Sequence, residues 1–183
     1  MLFSAFQDNH LELWKPSCYP KKRPVAMKSV RILLVEDSPS DVRLIREALK
    51  ETAIPVEITV ARDGVEAMDL LNRGEMGDVP RPDLILLDLN LPKKNGREVL
   101  AEVKASPGLK QIPVLVMTSS RADEDIAQAY SLNANCYITK PADLQEYVNV
   151  VRAIEDFWFF IATLPDAYRG SRAMTASAGM PAA

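Results

Sequence analysis

Short apolar runs alternate along this chain with longer segments in which apolar residues recur every three or four positions. Residues 31–35 and 113–117 are runs of this kind, and so is the stretch that follows Asp83 between two prolines. Runs of this length predict strands that are buried on both faces, as in the middle of a parallel sheet. The segments between them predict amphipathic helices. The pattern therefore predicts strands and helices in alternation.

Five strands and five helices follow from this pattern. The strands are predicted at residues 31–35, 55–60, 113–117 and 136–139, with the third strand running from Asp83 to Asp88. Helix-capping residues and apolar spacing predict helices that begin near residues 39, 64, 97, 123 and 142. A long polar loop is predicted at residues 72–82. The predicted buried faces contain Val42, Ile45 and Leu49 in the first helix and Val65, Met68 and Leu71 in the second.

Connections between parallel strands through a helix are right-handed, so the alternation predicts an α/β fold with a parallel five-stranded sheet and helices on both faces. The common doubly wound strand order for a sheet of this size is 2-1-3-4-5, as in flavodoxin-like folds, with a crevice between strands one and three. Ligands bind to such sheets outside the carboxyl ends of the strands. Candidate functional residues are therefore expected directly after the strands.

The chain is predicted to contain one folded domain with an extension at each end. Its 183 residues, 48% of them hydrophobic and 26% charged, are enough for one domain of ordinary size. Residues 29–164 carry the alternating pattern and form the predicted domain. Residues 1–28 show no sustained period and are predicted to be a poorly ordered arm. Residues 165–183, rich in Ala, Ser and Gly, are predicted to be a disordered tail.

Composition argues against several classes of function. A net charge of −3 disfavours nucleic acid as the main partner, and no apolar run is long enough to span a membrane. The first residues lack the basic start and apolar core of a secretory signal, so a cytoplasmic protein is expected. His10 is the one histidine, which excludes a multi-histidine metal site. Cys18 and Cys136 provide neither a disulfide framework nor a zinc-binding spacing.

Acidic residues follow two of the predicted strands. Glu36 and Asp37 end strand one and Asp88 ends strand three, so the fold brings three carboxylates to the crevice. They repel one another unless a cation lies between them, and all-oxygen ligands favour Mg²⁺ when a phosphate completes its shell. Thr118 and Lys140 lie at the ends of strands four and five. This composition suits phosphoryl transfer, with Asp88 as a nucleophile that becomes an aspartyl phosphate.

The acidic pair at residues 36–37, followed in order by Asp88, Thr118 and Lys140 with Pro141, resembles the receiver (CheY-like) domain of two-component response regulators. The resemblance covers residues 29–164. More narrowly, the chain resembles the stand-alone regulators of cyanobacterial and bacterial phytochrome histidine kinases. The segments that carry this narrower likeness are residues 80–98, 135–140, 157–158 and 164–165.

The resemblance implies a role for each residue of the site. Asp88 is expected to accept a phosphoryl group from a histidine of a partner kinase, of the phytochrome type. Asp37 and Asp88 are expected to ligate Mg²⁺ through their carboxylates. Glu36 is expected to act on the metal directly or through water, and Asn90 to ligate it through its backbone carbonyl. Lys140 is expected to pair with the acceptor and then with the phosphoryl oxygens. Such a protein is a phosphoacceptor that assists its own phosphorylation and dephosphorylation, rather than an enzyme.

The same resemblance implies how the signal leaves the site. Thr118 and Tyr137 are expected to move together as a switch that changes the surface formed by helix four, strand five and helix five. The side chains of Asn90 and Ser120 are expected to set the lifetime of the phosphoryl group. The peptide bond before Pro141 is expected to be cis.

The final helix predicts a homodimer. On a helical wheel of residues 142–162, one stripe suffices to cover the sheet, and Phe157 and Phe160 fall outside it. Two exposed phenylalanines on one helix commonly mark an interface. In an alternative interpretation, the helix ends near residue 156 and residues 157–164 fold back on the core. The residues of the predicted stripe are Leu144, Val148, Val151, Ile154 and Trp158.

Three other functions are compatible with parts of this pattern. A flavodoxin-like cofactor-binding protein shares the strand order, but Glu36 and Asp37 would repel a phosphate in the loop after strand one. A hydrolase that forms an aspartyl phosphate would need a separate acid–base group beside Asp88. A phosphorylation-independent scaffold would not need the acidic set. The sequence therefore favours the phosphoacceptor.

Overall fold

The computed structural model describes residues 29–50, 54–162 and 164–165. These residues form a five-stranded parallel sheet with the strand order β2-β1-β3-β4-β5. The predicted α/β fold and its doubly wound order are therefore confirmed. The predicted arm at residues 1–28 and almost all of the predicted tail lie outside the described residues.

The strands and helices alternate without exception along the described chain. The strands are β1 (Val30–Val35), β2 (Val56–Ala61), β3 (Leu84–Leu87), β4 (Val114–Thr118) and β5 (Cys136–Thr139). The helices are α1 (Pro39–Lys50), α2 (Gly64–Met76), α3 (Gly96–Ala105), α4 (Asp123–Ser131) and α5 (Leu144–Glu155), and a π-helix (Asp156–Ile161) continues α5. Among these helices, none combines the length with the apolar character that crossing a membrane requires.

The sheet separates two hydrophobic cores. One core contains residues of α2, α3 and α4, and the other contains residues of α1, α5 and the π-helix. Successive residues of β3 contribute to opposite cores, with Leu84 and Leu86 on one side and Ile85 and Leu87 on the other. This alternation follows from the strand geometry. It explains why a central strand is apolar at every position, since both of its faces are covered.

Strand β3 fixes the position of the residues that follow it. It pairs with β1 on one side and β4 on the other, with Leu87 opposite Val35 and Val116. The backbone N–H of Asp88 then donates to the carbonyl of Val35 at 3.0 Å. The residues after β1 and β3 are therefore held side by side at the carboxyl edge of the sheet.

The second helix is longer than the sequence predicted. Residues 72–82 were expected to form a loop, but α2 continues to Met76 and ends at Gly77, which has φ of 86°. Polar residues do not by themselves end a helix, because one face of a surface helix is exposed to solvent. The helix ends where glycine supplies the left-handed conformation that other residues disfavour.

Two residues predicted to lie on buried helix faces are exposed. Val65 lies in the first turn of α2, where Ala67 and Met68 contact the core instead. Leu144 is 60% exposed because the buried face of α5 is centred on Tyr147, Val151 and Ile154. Tyr147 is buried on that face and packs in the core on the same side of the sheet as α1. Leu144, at the first helical residue, lies at the edge of that face.

A π-helix follows α5 and changes the orientation of the aromatic residues. Its wider turn is closed by a hydrogen bond from the N–H of Ala162 to the carbonyl of Phe157 at 2.7 Å. As a result Phe159 is buried and Trp158 only partly buried, whereas a regular helical wheel placed Trp158 on the buried stripe. Phe157 and Phe160 are 49% and 48% exposed, which agrees with the prediction for both side chains. The alternative in which residues 157–164 fold back onto the core does not apply to these two rings.

Candidate functional site

The carboxyl edge of the sheet brings together the acidic residues that the sequence placed there. Glu36 and Asp37 directly follow β1, Asp88 directly follows β3, and Thr118 is the last residue of β4. Glu36, Asp88 and Thr118 are buried, with Asp88 only 5% exposed, whereas Asp37 is exposed. A buried carboxylate requires a compensating partner.

Lys140 provides that partner. Its ammonium nitrogen Nζ lies 2.6 Å from Asp88 Oδ2 and 2.6 Å from Glu36 Oε2. It also lies 2.8 Å from Asp41 Oδ2. The backbone N–H of Lys140 donates to the carbonyl of Thr118 at 2.8 Å, which fixes the start of this side chain at the end of β5. All three donors of the ammonium are therefore directed at carboxylates.

These contacts determine the charge state of the cluster. Burial lowers the pKa of Lys140, but the hydrogen bonds to its three carboxylates outweigh burial and raise the pKa above its ordinary value. Burial raises the pKa of Glu36, the Lys140 ammonium opposes this effect, and the charge of Asp88 adds to it. The three carboxylates therefore stabilise the charged form of Lys140.

Asp41 is a member of this cluster that the sequence did not reveal. Its place in the first turn of α1 has a sufficient local explanation, because an acidic residue there stabilises the helix N-terminus. Because α1 begins directly after the loop that follows β1, its first turn lies at the same edge of the sheet as Glu36. This placement is the signal that could have identified Asp41.

The oxygen ligands suit a divalent cation by their chemistry, although they do not form a preassembled cluster. Within residues 29–50, 54–162 and 164–165, no three acidic, histidine or cysteine side chains already form a metal-binding group. The Lys140 ammonium contacts Glu36 and Asp88 instead, and Asp37 is exposed beside them. Three carboxylates around one ammonium leave an excess of negative charge, which a hard divalent cation would neutralise. The residues present therefore fit Mg²⁺.

Asn90 connects the acceptor to Thr118. Its backbone N–H donates to Asp88 Oδ1 at 3.0 Å, and its side-chain amide Nδ2 lies 3.4 Å from Thr118 Oγ1. The two oxygens of Asp88 are thus held by different groups, Oδ1 by Asn90 and Oδ2 by Lys140. The orientation of the carboxylate is fixed from both sides.

Tyr137 and Ser120 lie farther along the same edge. The Tyr137 hydroxyl donates to the backbone carbonyl of Ser120 at 3.1 Å. The Ser120 hydroxyl donates to Asp125 Oδ2 at 2.5 Å, and Asp125 also pairs with Arg97. In this arrangement the predicted switch tyrosine is bound to the loop after β4, and the Ser120 hydroxyl is directed at α4.

The peptide bond before Pro141 is trans, like every other peptide bond among the described residues. The prediction of a cis bond is therefore wrong for this structure. The trans form of such a bond is ordinarily favoured by about 0.5–1 kcal/mol. With this bond trans, the Lys140 ammonium still reaches all of its carboxylate partners.

A glycine allows α3 to approach the acceptor. The N–H of Gly96 donates to the carbonyl of Leu89 at 3.0 Å. A Cβ atom at Gly96 would lie 2.1 Å from the carbonyl oxygen of Asp88 and 2.7 Å from the Leu89 Cα. Asn95 caps the helix through a reciprocal pair of hydrogen bonds with Glu98. The loop that carries Asp88 is therefore packed directly against the start of α3.

Comparisons with known proteins agree with this geometry. The family model of the response regulator receiver domain matches residues 32–152. The response regulator Rcp1 of Synechocystis sp. is 53% identical over 137 residues, which cover 74% of this chain and 93% of that protein. The probable methanogenesis regulatory protein FilR2 of Methanothrix harundinacea is 40% identical over 127 residues, 69% of this chain and 82% of that protein.

Solved structures show the same similarity. The phosphorylated cyanobacterial phytochrome response regulator RcpA aligns with a TM-score of 0.72 and 53% identity, covering 75% of this chain and 99% of that one. The Mn²⁺-bound form of Rcp1 aligns with a TM-score of 0.71 and 52% identity, covering 74% and 99%. The fold, the strand-end residues and these matches lead to one conclusion: this chain belongs to the family of response regulator receiver domains.

Proposed function

We propose that this protein is a single-domain response regulator in which Asp88 accepts a phosphoryl group from a histidine of a sensor kinase. The observation that carries the proposal is the buried Asp88 carboxylate, held by Lys140 at 2.6 Å beside Glu36. One Asp88 oxygen would attack the phosphorus, and the bond from phosphorus to the kinase imidazole nitrogen would break with its electron pair on that nitrogen.

The remaining residues support this transfer by charge and position. Glu36, Asp37 and Asp88, with the backbone carbonyl of Asn90, would hold Mg²⁺, which when bound neutralises charge on the phosphoryl oxygens. Lys140 would move from its carboxylates to a phosphoryl oxygen. The same groups would assist loss of the phosphoryl group to water.

The hydrogen bonds of the resting site favour a switch at Thr118 and Tyr137. The Thr118 hydroxyl contacts Asn90 and would turn towards the phosphoryl group, after which Tyr137 would leave Ser120 and turn inward. The movement would change the surface of α4, β5 and α5. The side chains of Asn90 and Ser120 would set how easily water reaches the phosphoryl group.

Incubation with acetyl phosphate and Mg²⁺ should add the mass of one phosphoryl group to the wild-type protein, measured by intact mass spectrometry. The Asp37→Ala variant keeps the nucleophile but loses a metal ligand, so its phosphorylation should slow by about a hundredfold or more. Its Mg²⁺ affinity should also fall in a metal titration. Chelation of Mg²⁺ in the wild type should reproduce the same loss.

A matched control for this substitution is Asp69→Ala, which removes an exposed carboxylate from α2. It should be phosphorylated at the wild-type rate. Unchanged Mg²⁺ affinity in Asp37→Ala would show that the cation is assigned to the wrong residues. A wild type that gains no phosphoryl group would favour the phosphorylation-independent scaffold instead.

The partner kinase is proposed to be a phytochrome-type histidine kinase. Support comes from relatives that are themselves described as phytochrome regulators, RcpA at 53% identity and the bacteriophytochrome response regulator RtBRR at 40%. The kinase surface must approach the exposed edge around Asp37 and Asn90, where the acceptor opens to solvent.

The protein is also proposed to form a homodimer through α5 and the π-helix. Phe157 and Phe160 are both about half exposed, and the Phe157 ring lies against Trp158 in an edge-to-face contact with centroids 5.2 Å apart. An apolar cavity of about 300 Å³ lies beside Phe157 and Trp158. A second copy of the chain could fill it with its own phenylalanines, as a two-fold interface requires. The cavity is lined by Leu115, Cys136, Ile138, Val150, Ala153, Ile154, Phe157 and Trp158.

Light scattering should detect a dimer of the wild type at roughly tens of micromolar, and a monomer for the Phe157→Asp/Phe160→Asp variant. Burial of each ring contributes roughly 1.5–3 kcal/mol, so loss of both should abolish a modest interface. Met76→Asp is the control, because Met76 is an exposed apolar residue on α2 and belongs to the other side of the sheet. A wild type that remains monomeric with and without beryllofluoride, a mimic of the phosphoryl group, contradicts the dimer.

A further inference from the structure

Tyr147 has a buried hydroxyl that no residue satisfies. It lies in the first turn of α5, is 3% exposed, and packs in the core formed by α1 and α5. Among the described residues, its hydroxyl is the buried side-chain polar atom without a hydrogen-bond partner. Such groups are rare in folded proteins because their desolvation is not compensated. A hydroxyl of this kind therefore needs an explanation.

The hydroxyl lies within electrostatic range of the phosphoacceptor site. Burial is the main cause that raises the pKa of Tyr147, and the charge of Lys140 is the next largest influence and lowers it. The carboxylates of the cluster also raise this pKa, with Asp41 first among them. Asp41 lies one turn before Ile45 on α1, and Ile45 shares its core with Tyr147. Asp41 and Tyr147 thus approach the site from adjacent helices.

The resting cluster leaves no donor of Lys140 for any other group. Its three N–H groups serve Glu36, Asp41 and Asp88. Glu36 has a further hydrogen bond from the Ser38 backbone, and Asp88 has one from the Asn90 backbone. The Asp41 carboxylate has Lys140 as its partner among the described residues. Asp41 is therefore the carboxylate most affected when Lys140 moves.

We propose that Tyr147 is a positioning residue of the phosphorylated state, in which its hydroxyl donates a hydrogen bond to the Asp41 carboxylate after Lys140 turns to the phosphoryl group on Asp88. This inference rests on the proposed function, since it requires a phosphoryl group on Asp88. The Asp41 carboxylate would then have a donor in place of Lys140, and the Tyr147 hydroxyl would have an acceptor. It would also couple the acceptor to α5.

The test compares the resting protein with its complex with beryllofluoride and Mg²⁺. Tyr147→Phe removes only the hydroxyl, so the resting protein should unfold at the same temperature or a higher one. Its affinity for beryllofluoride, measured by calorimetric titration, should fall by about tenfold, the loss expected for one hydrogen bond to a charged group. A hydroxyl with a merely structural role would instead shift unfolding equally in both states.

A double-mutant cycle identifies the acceptor. Asp41→Ala removes the proposed partner, and Tyr147→Phe in that background should cause no further loss of beryllofluoride affinity. Tyr130→Phe is the control, because Tyr130 is an exposed tyrosine on α4. Removal of its hydroxyl should leave the affinity for beryllofluoride unchanged.

The outcomes separate this inference from the function on which it rests. If the wild type binds beryllofluoride and Tyr147→Phe binds it equally well, the hydrogen bond is refuted and the phosphoacceptor stands. Additive losses in the cycle also refute it, since they mean that Asp41 is not the acceptor. If the wild type does not bind beryllofluoride at all, the proposed function fails, and the role of Tyr147 fails with it.

Discussion

The Asp88→Asn variant is expected to gain no phosphoryl group from acetyl phosphate and Mg²⁺, while the wild type gains one. An amide oxygen is a poor nucleophile at phosphorus, and in the part of the chain that the structure describes no other carboxylate is held by both Lys140 and the Asn90 backbone. Intact mass spectrometry measures the difference directly. The loss should be complete rather than partial, since the substitution removes the reacting atom itself.

The fold of this variant should survive. The substitution removes one of three carboxylates around Lys140, and Glu36 and Asp41 remain as its partners. Relief of repulsion among the carboxylates offsets the lost ion pair, so the unfolding temperature without metal should hold or rise. Asp69→Asn is the control on the exposed face of α2 and should be phosphorylated normally. A stable phosphoryl group on Asp88→Asn would show that another residue is the acceptor.

Gly96→Ala is expected to have the largest effect on stability. Its Cβ would lie 2.1 Å from the Asp88 carbonyl oxygen, and both that atom and the Leu89 Cα belong to the backbone. The start of α3 or the acceptor loop must then move, which should lower the free energy of unfolding by roughly 3 kcal/mol or more. Denaturant unfolding measures this loss. Because the displaced loop carries Asp88, phosphorylation should slow as well.

Gly74→Ala is the matched control for this substitution. Gly74 lies inside α2, and its added Cβ would approach the Arg81 Cα at an ordinary 3.5 Å. Alanine is favoured over glycine in a helix, so this variant should gain roughly 0.5–1 kcal/mol in stability. Equal effects of the two substitutions would mean that the close approach at Gly96 is not what restricts the acceptor loop.

Periodicity and strand ends were sufficient to predict the architecture and the strand-end residues that meet at the carboxyl edge of the sheet. The predicted bounds of β1, β2, β4 and β5 differ from the structure by at most one residue. The central strand is apolar throughout, so its end is marked by Asp88, and parallel order then places Glu36 and Lys140 nearby. The flavodoxin-like alternative shares this order, and membership of the receiver family favours the phosphoacceptor over it.

Features that depend on rotation within a helix were not predictable. The wheel placed Leu144 on the buried face, whereas in the structure Leu144 is exposed and Tyr147 is buried. The role of Asp41 was also hidden, because an acidic residue in a first helical turn has a sufficient local explanation. The π-helix has no signal in the spacing of apolar residues, and the expected cis bond before Pro141 came from the family resemblance rather than from the residues around it.

The π-helix also makes the aromatic surface dependent on chain length. A π turn is in effect an α-helical turn with one extra residue, and such insertions occur frequently at functional sites. Removal of Trp158, which lies between the two exposed phenylalanines, would restore the regular phase and swing the following rings around the helix axis. Phe160 would then change its position relative to Phe157, which is also exposed. A deletion here would therefore alter the surface of the protein without changing the identity of either phenylalanine.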